Sequence, residues 1–262
     1  MPNNRKYLTS HTWIKFQLDL SQNIPYRLWV LLGAAESKCR HLAGIPLRPE
    51  KQKELNKVSL RKGAQATTAI EGNSLSEEEI EKILDNKTDD FPRSKEYQKK
   101  EVQNVIGAYN AIIADVDENG SCAAGLDELL SDNELILRDL RTGESVVPGK
   151  IREHSVCVGN YLGAPSEDCE YLLCRLFDWL EGDWGIDAYH KAIEGILKAI
   201  VAHLYIAWIH PFGDGNGRNA RMLEFRLLMS SGIPLTAAHL LTTHYNDTRL
   251  EYYSALASTS KK

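Results

Sequence analysis

From Ile209 to Arg221 the chain reads Ile-His-Pro-Phe-Gly-Asp-Gly-Asn-Gly-Arg-Asn-Ala-Arg, and residues of these types at this spacing can work on phosphate esters. Pro211 disfavours α geometry at His210, so a preceding helix should end there with an imidazole at its exit. Glycines 213, 215 and 217, interleaved with Asp214 and Asn216, let the backbone turn until several N–H groups converge. A helix starting near Asn219, with Met222, Leu223, Phe225 and Leu228 behind it, adds the positive end of its dipole, and together these make an anion site suited to phosphate. Arg218 and Arg221 are three apart on that first turn and can meet the same phosphates as bidentate donors. Asp214 is an acceptor-only group among phosphate donors, which a Mg²⁺ ion would explain. A base, a metal carboxylate, an oxyanion cradle and two arginines in one segment describe attack by a hydroxyl on a nucleotide phosphate.

The run from His210 to Arg221 meets every specified position of HxFx(D/E)GNGRxxR and so resembles the signature of Fic-domain proteins. The resemblance extends over residues 100 to 257 and implies a mostly α fold: a Fic-type helical bundle with one short β-hairpin, the flap, and an N-terminal helical extension. It implies protein adenylyltransferase activity, with ATP as substrate and Mg²⁺ as the metal. On that resemblance His210 is the catalytic base and Asp214 the metal ligand. Gly215, Asn216 and Gly217 hold the α-phosphate, Arg218 the β-phosphate and Arg221 the γ-phosphate, while Phe212 anchors the loop. Arg152, His154 and Val156 belong to the flap, which in this family takes an extended target segment by strand addition. One position departs from the pattern: related proteins carry an adenine-contacting Asn after the Tyr252-Tyr253 pair, where this chain has Ser258, Thr259 and Ser260.

Thr67-Thr68-Ala69-Ile70-Glu71-Gly72-Asn73 resembles the inhibitory (S/T)xxxE(G/N) helix of some Fic proteins. A carboxylate in the last turn of a helix faces the negative dipole end, at a cost of roughly 0.3–1 kcal/mol when exposed. Glu71 is better explained if it finds a cation, and the resemblance makes that cation Arg221, with Thr67 on the same helix. The expectation is therefore an autoinhibited enzyme. AMP removal with Glu71 positioning a water, transfer of another nucleotide or phosphate moiety, and a non-catalytic nucleotide-sensing regulator are the alternatives. Auto-modification and a homodimer fit the resemblance, and the target protein is not legible.

The elements that must position these residues read as helices. Residues 1–92 form the extension and 93–262 the catalytic core. One helix runs from Glu54 to Glu71 and stops at Gly72-Asn73. Another starts at Ser76, where Glu79 completes a capping box. Asp89-Asp90-Phe91-Pro92 reads as a linker. Helical periods follow over 101–113 and 126–140, with Asn119-Gly120 as the turn between them. The one strand signal lies around Gly149 to Gly159, where Val146, Val147, Ile151, Val156 and Val158 predict a short hairpin. From Ala188 to Trp208, apolar residues at three- and four-residue spacing predict a helix buried in the bundle.

Composition bounds the rest. At 262 residues, with 43% hydrophobic and 26% charged residues, the chain can bury a real core. The charge of −5 and pI near 5.9 argue against a nucleic-acid partner. The polar start, Met1 to Lys6, leads into no apolar segment, and the stretch from Ile196 to Trp208 is too short to span a bilayer. A cytoplasmic protein with no membrane partner is expected. Five cysteines, none in CxxC spacing, suit reduced thiols. Asp115 to Gly120 imitates the start of a calcium loop, but Leu126 stands where a bidentate Glu is needed. His203, two turns before His210, reads as a core histidine.

Overall fold

Pro49 at the first helical position opens a 22-residue helix, and Gly72, at φ 97°, lets the chain turn away from its end. In the computed structural model, residues 5–87 and 91–259 are described. Of the sequence features above, Met1–Asn4, Asp89, Asp90 and Ser260 lie outside them. The elements are α1 (Tyr7–Ser10), α2 (Leu20–Asn23), α3 (Tyr26–Ala43), α4 (Pro49–Ile70), α5 (Glu77–Leu84), α6 (Glu96–Asn119), α7 (Leu126–Leu137), β1 (Cys157–Val158), β2 (Tyr161–Leu162), α8 (Ser166–Glu181), α9 (Lys191–Ile209), α10 (Asn216–Ser230), α11 (Leu235–Ala238), α12 (Leu240–Asp247) and α13 (Arg249–Thr259). The fold is mostly α with one hairpin, and the N-terminal extension is helical.

Local signals act where the sequence put them. The Ser76 hydroxyl accepts from the Glu79 amide and the Glu79 carboxylate from the Ser76 amide, the two halves of the capping box. Gly120, left-handed at φ 74°, caps α6. The calcium-loop imitation is helical, the Asn119 amide donating 2.8 Å to Asp115 within the last turn of α6.

Two regions differ from expectation. The hairpin lies later than Gly149–Gly159: Cys157 pairs with Leu162 and Val158 with Tyr161 in an antiparallel two-stranded ladder. The valines at 146 and 147 and Ile151 precede it in loop structure; Val146 and Ile151 pack on the bundle instead of a sheet, and Val147 is exposed. The helix expected over Ala188–Trp208 is present as α9, but its apolar stretch is longer than the Ile196–Trp208 run read as too short to span a bilayer. Counting the 3-10 turn before it, Ala188–Ile209 is long and apolar enough to cross a membrane by length and composition. Its buried side chains, Ile193, Leu197, Ile206 and Ile209 among them, lie against α3, α8 and α10.

One core cluster joins Ala64 of α4 and Ile80 and Ile83 of α5 to Val102, Val105 and Tyr109 of α6 and Phe225 of α10. The extension thus shares its core with the rest of the bundle. A second cluster, built on Leu172, Leu173 and Leu176 of α8, includes Ile206, Ile209 and Phe212 and fixes the loop between α9 and α10. Large-to-small changes in such positions typically cost about 2–5 kcal/mol, so the loop has a stiff floor.

Candidate active site

The imidazole of interest stands at the end of α9. His210 is its C-cap at φ 51°, ψ 58°, left-handed for a residue with a Cβ, a conformation costing about 1–2 kcal/mol. Pro211 keeps His210 out of the helical region, and the surroundings hold the strained alternative. The His210 amide donates 2.8 Å to the Ile206 carbonyl, and Phe212, 1% exposed, roots the loop in the core. Burial pushes the imidazole down to about 4, the Ala207 carbonyl and Glu71 opposing and the Arg152 charge assisting, so the ring is neutral at pH 7. In the neutral ring one nitrogen carries no proton and can act as an acceptor.

The loop after it is closed by Asn216. The Phe212 amide donates 2.9 Å to Asn216 Oδ1, and Asn216 Nδ2 donates 2.8 Å back to the Phe212 carbonyl. The sequence reading gave Asn216 to the phosphate, but its carboxamide instead holds the loop shape, leaving its backbone N–H at the helix start. Helix α10 begins at Asn216, three residues earlier than expected, so Gly217 and Arg218 belong to its first turn. Gly215 is its N-cap at φ 79°, and a Cβ there would stand 3.2 Å from Asn133 Nδ2. Glycine is required for both reasons.

The two arginines are brought to this turn, and each carries an acidic partner. Arg221, among the largest fully buried side chains, donates from Nε to Thr67 Oγ1 at 2.8 Å and from Nη2 to the Thr67 carbonyl at 3.1 Å and Glu71 Oε1 at 2.5 Å. Burial pushes the Glu71 carboxyl up, but the charge and hydrogen bond of Arg221 outweigh it and hold the group below the ordinary range. Arg218 donates 2.8 Å to Glu101 Oε1 and 3.3 Å to Asp214 Oδ1. Burial raises the Glu101 carboxyl against the pull of Arg218, and Asn73 donates 2.9 Å to its other oxygen. Asp214 also accepts 2.5 Å from the Gly215 amide, with its side chain 40% exposed.

Above this turn lies a cavity of about 920 Å³ whose walls include Glu71, His210, Asp214, Gly217, Arg221 and Tyr253. His154 and Val156 also line it, with β1 and the turn of the hairpin. Arg152, expected to face a target, does not: it is 4% exposed and its guanidinium donates to the carbonyls of His154, Ala164, Ile209 and His210. Four of the five hydrogens of this buried guanidinium are directed at carbonyls of its own chain. His203 is a core residue between Glu224, 2.7 Å, and the Tyr252 hydroxyl, 2.9 Å.

Sequence reasoning missed three of these groups. Glu101 sits mid-face on α6 with no motif around it, and only the fold brings it 117 residues along the chain to Arg218. Asn73 was seen only as a helix stop. Glu224 is the one carboxylate of α10, set between Leu223 and Phe225, a signal that was readable as a demand for a buried partner.

The imidazole at a helix exit, the amide cradle at the next helix N-terminus, the two arginines and the hairpin all lie within residues 124–228, which match the family described as Fic/DOC. The matched segment lies inside a larger helical fold. Over 190 residues it is 32% identical to a protein named protein adenylyltransferase fic-1 from Caenorhabditis briggsae, covering 72% of this chain and 34% of the relative. The Caenorhabditis elegans protein of the same name is 30% identical over 190 residues, with the same coverage. The chain spans about a third of the length of these curated relatives. Among solved structures, a Fic family protein from Desulfovibrio desulfuricans G20 superposes with a TM-score of 0.65 at 25% identity, covering 87% of this chain and 65% of that one. Fic-1 (residues 134–508) of C. elegans shares the fold, with a TM-score of 0.62 at 22% identity over 87% of this chain and 72% of that one.

Proposed function

We propose that this chain transfers AMP from ATP to a hydroxyl side chain of a target protein and that Glu71 holds it inactive. The observation that carries the reading is the neutral His210 opening into the same cavity as the Gly215–Gly217 backbone and Arg221. A base must be unprotonated to accept a proton, and the amides must face the phosphate that is attacked. The names of the relatives above support the direction of transfer.

In this mechanism the target oxygen attacks the α-phosphorus of ATP. The new O–P bond forms as the bond to the β-phosphate oxygen breaks, and pyrophosphate leaves. The hydroxyl proton goes to the unprotonated ring nitrogen of His210. The N–H groups at the start of α10 receive charge developing on the α-phosphate, and Arg218 and Arg221 orient the other two phosphates. The residues fit a Mg²⁺ ion: Asp214 offers one carboxylate at the cavity edge, the donor set such an ion takes when nucleotide phosphates supply more. When bound, the ion neutralises phosphate charge. With Glu71 on Arg221 the guanidinium is withheld from the γ-phosphate. The target would add its strand to β1, and the five unpaired thiols suit a reducing cytoplasm.

Removal of AMP is the second reading. Glu71 Oε1 lies so close over Gly217 that a Cβ there would stand 2.6 Å away, which places a carboxylate where it could orient a water.

Incubation of the wild type and Glu71→Gly with Mg²⁺ and ATP labelled on the α-phosphate tests the proposal. Label on protein from the variant is the expected result. Label only from γ-labelled ATP means phosphoryl transfer, and no label from either nucleotide defeats the transferase reading.

A further inference from the structure

We propose that Arg152 is a positioning residue that ties His210 to both ends of the hairpin, so that a chain seated on the hairpin and the base move as one unit. This rests on the reading of His210 as the base.

The last carbonyls of a helix have no partner within it and must be met from elsewhere. At α9 they are met by the segment that carries the hairpin. The Tyr161 hydroxyl donates 2.6 Å to the Trp208 carbonyl, Arg152 Nη2 donates 3.3 Å to Ile209, and Arg152 Nε donates 2.7 Å to His210 itself. The Arg152 backbone amide donates 2.9 Å to Pro211, the next residue. The same guanidinium reaches the other way, 2.5 Å to the His154 carbonyl before β1 and 2.5 Å to the Ala164 carbonyl after β2. One planar fork therefore spans the entrance of the hairpin, its exit and the C-cap of the catalytic helix.

Two further facts make this a positioning device. Among the described residues no carboxylate pairs with Arg152, although its side chain is buried. A buried cation without a counter-ion is costly, and here the carbonyls and the negative end of α9 compensate it. The hairpin exit also touches the base: a Cβ on Gly163 would stand 2.9 Å from His210 Cβ and 3.0 Å from Arg152 Nη2. His210 keeps its left-handed backbone because this contact set over-determines it. A displacement of either hairpin end is thus transmitted to the imidazole through bonds of ordinary length.

The experiment uses Arg152→Lys and Tyr161→Phe in the Glu71→Gly protein. Lysine keeps the charge but loses the fork. The affinity for a non-hydrolysable ATP analogue should be unchanged, because neither side chain reaches the phosphate turn. Turnover should fall about 100-fold for Arg152→Lys, the scale expected when a reacting group is misplaced by an ångström, and less for Tyr161→Phe. In a His210→Ala background Arg152→Lys should add nothing further. Full turnover in a folded Arg152→Lys protein overturns the proposal, as does an independent loss in the His210→Ala background. If Arg152→Lys does not fold, unchanged turnover in Tyr161→Phe overturns it and reduced turnover supports it. If the Glu71→Gly parent transfers nothing, the functional reading fails. The positioning claim is then decided by ¹⁵N titration of the His210 ring. The charged groups facing that ring are Arg152 from the hairpin entrance and Glu71 from α4. A shift in Arg152→Lys, which keeps the charge and loses only the fork, supports the claim, and an unmoved titration overturns it.

Discussion

On the proposed function, replacing Glu71 with glycine should raise AMP transfer by about 10- to 30-fold. The pair to be broken is a hydrogen bond between ions, Nη2 to Oε1 at 2.5 Å, with the Arg221 side chain 1% and the Glu71 side chain 33% accessible. Charge-assisted hydrogen bonds contribute about 1.5–3 kcal/mol. Since a third of the carboxylate side chain meets solvent, screening favours the lower part of that range, about 1.5–2 kcal/mol. That preference leaves the competent state at about a tenth to a thirtieth of the population, which sets the gain on removal. Arg221 would not collapse, because Thr67 still accepts from Nε and from Nη2. The assay is initial-rate auto-modification with α-labelled ATP at saturating Mg²⁺, beside Arg221→Ala and the double variant. Arg221→Ala should lose activity, because it removes the phosphate ligand as well as the inhibitory partner, and the double variant should match it. A flat or lowered rate in folded Glu71→Gly refutes inhibition by this pair, and an accompanying loss of hydrolysis of an AMP-modified substrate would move Glu71 to the water-positioning role.

His210→Ala should lower transfer about 10²–10⁴-fold with nucleotide affinity retained. In the active form the acid limb of the rate should fall near pH 4 and not 6.5, since the ring must be neutral to accept a proton and burial keeps it so. A limb at 6.5 would show that another group titrates. At the hairpin, Gly163 donates to the Val156 carbonyl, so by alternation Cys157 turns its own N–H and C=O to the open edge. Cys157→Pro should therefore impair modification of an added target while leaving ATP binding intact, and lost nucleotide binding would mean that the hairpin serves the core. His239 supplies a pH test of stability. It is 3% exposed, stacks on Phe225, makes no hydrogen bond from either nitrogen, and burial pushes it down to about 3. Its folded value lies below its unfolded value near 6.5, so the unfolded chain takes the proton first and stability is lost as pH falls below 6.5. The slope is about 1.4 kcal/mol per pH unit. His239→Phe should flatten denaturant-measured stability between pH 6.5 and 5 by about 2 kcal/mol, and an unchanged slope would disprove the assignment.

The site was legible where its residues are neighbours in sequence. His210 to Arg221 is one loop and one helix turn, and local rules for proline, glycine and helix ends predict that shape. The pairing of Glu71 with Arg221 spans 150 residues, and it was reachable only because a motif named both partners. Glu101 had no such motif. A buried carboxylate on α6 looks like any helix-face acid until α10 is laid against it, so its partnership with Arg218 could not be read in advance. Arg152 failed for a different reason. An arginine followed by Glu153 in a stretch without helix or strand looks like a surface group, and nothing local records that the carbonyls of α9 end beside it. The hairpin register slipped because alternation weighs Val146 and Ile151 as strongly as Val158, although only the later residues flank the Gly159-Asn160 turn that closes the ladder.

The shared core limits how the contact between Glu71 and Arg221 can open. Division of labour between residues 1–92 and 93–262 does not imply two bodies. Ala64 is fully buried, Ile70 is 4% exposed and Thr67 and Thr68 are 1% exposed, packed among α6, α10 and α12. Swinging α4 away would uncover several such side chains at about 25 cal/mol for each Å² of apolar surface, and would strip Arg221 of Thr67 as well as Glu71. Asn73 adds a further tie by bonding Gln98 and Glu101 on α6. The inexpensive movement is local. Glu71 is the C-cap, already outside the helical hydrogen-bond ladder, and Gly72 follows it at φ 97°. A rotation about the Glu71 side chain frees Arg221 while α4 stays docked, so a nucleotide that offers Arg221 a better anion needs to move one carboxylate and not a helix.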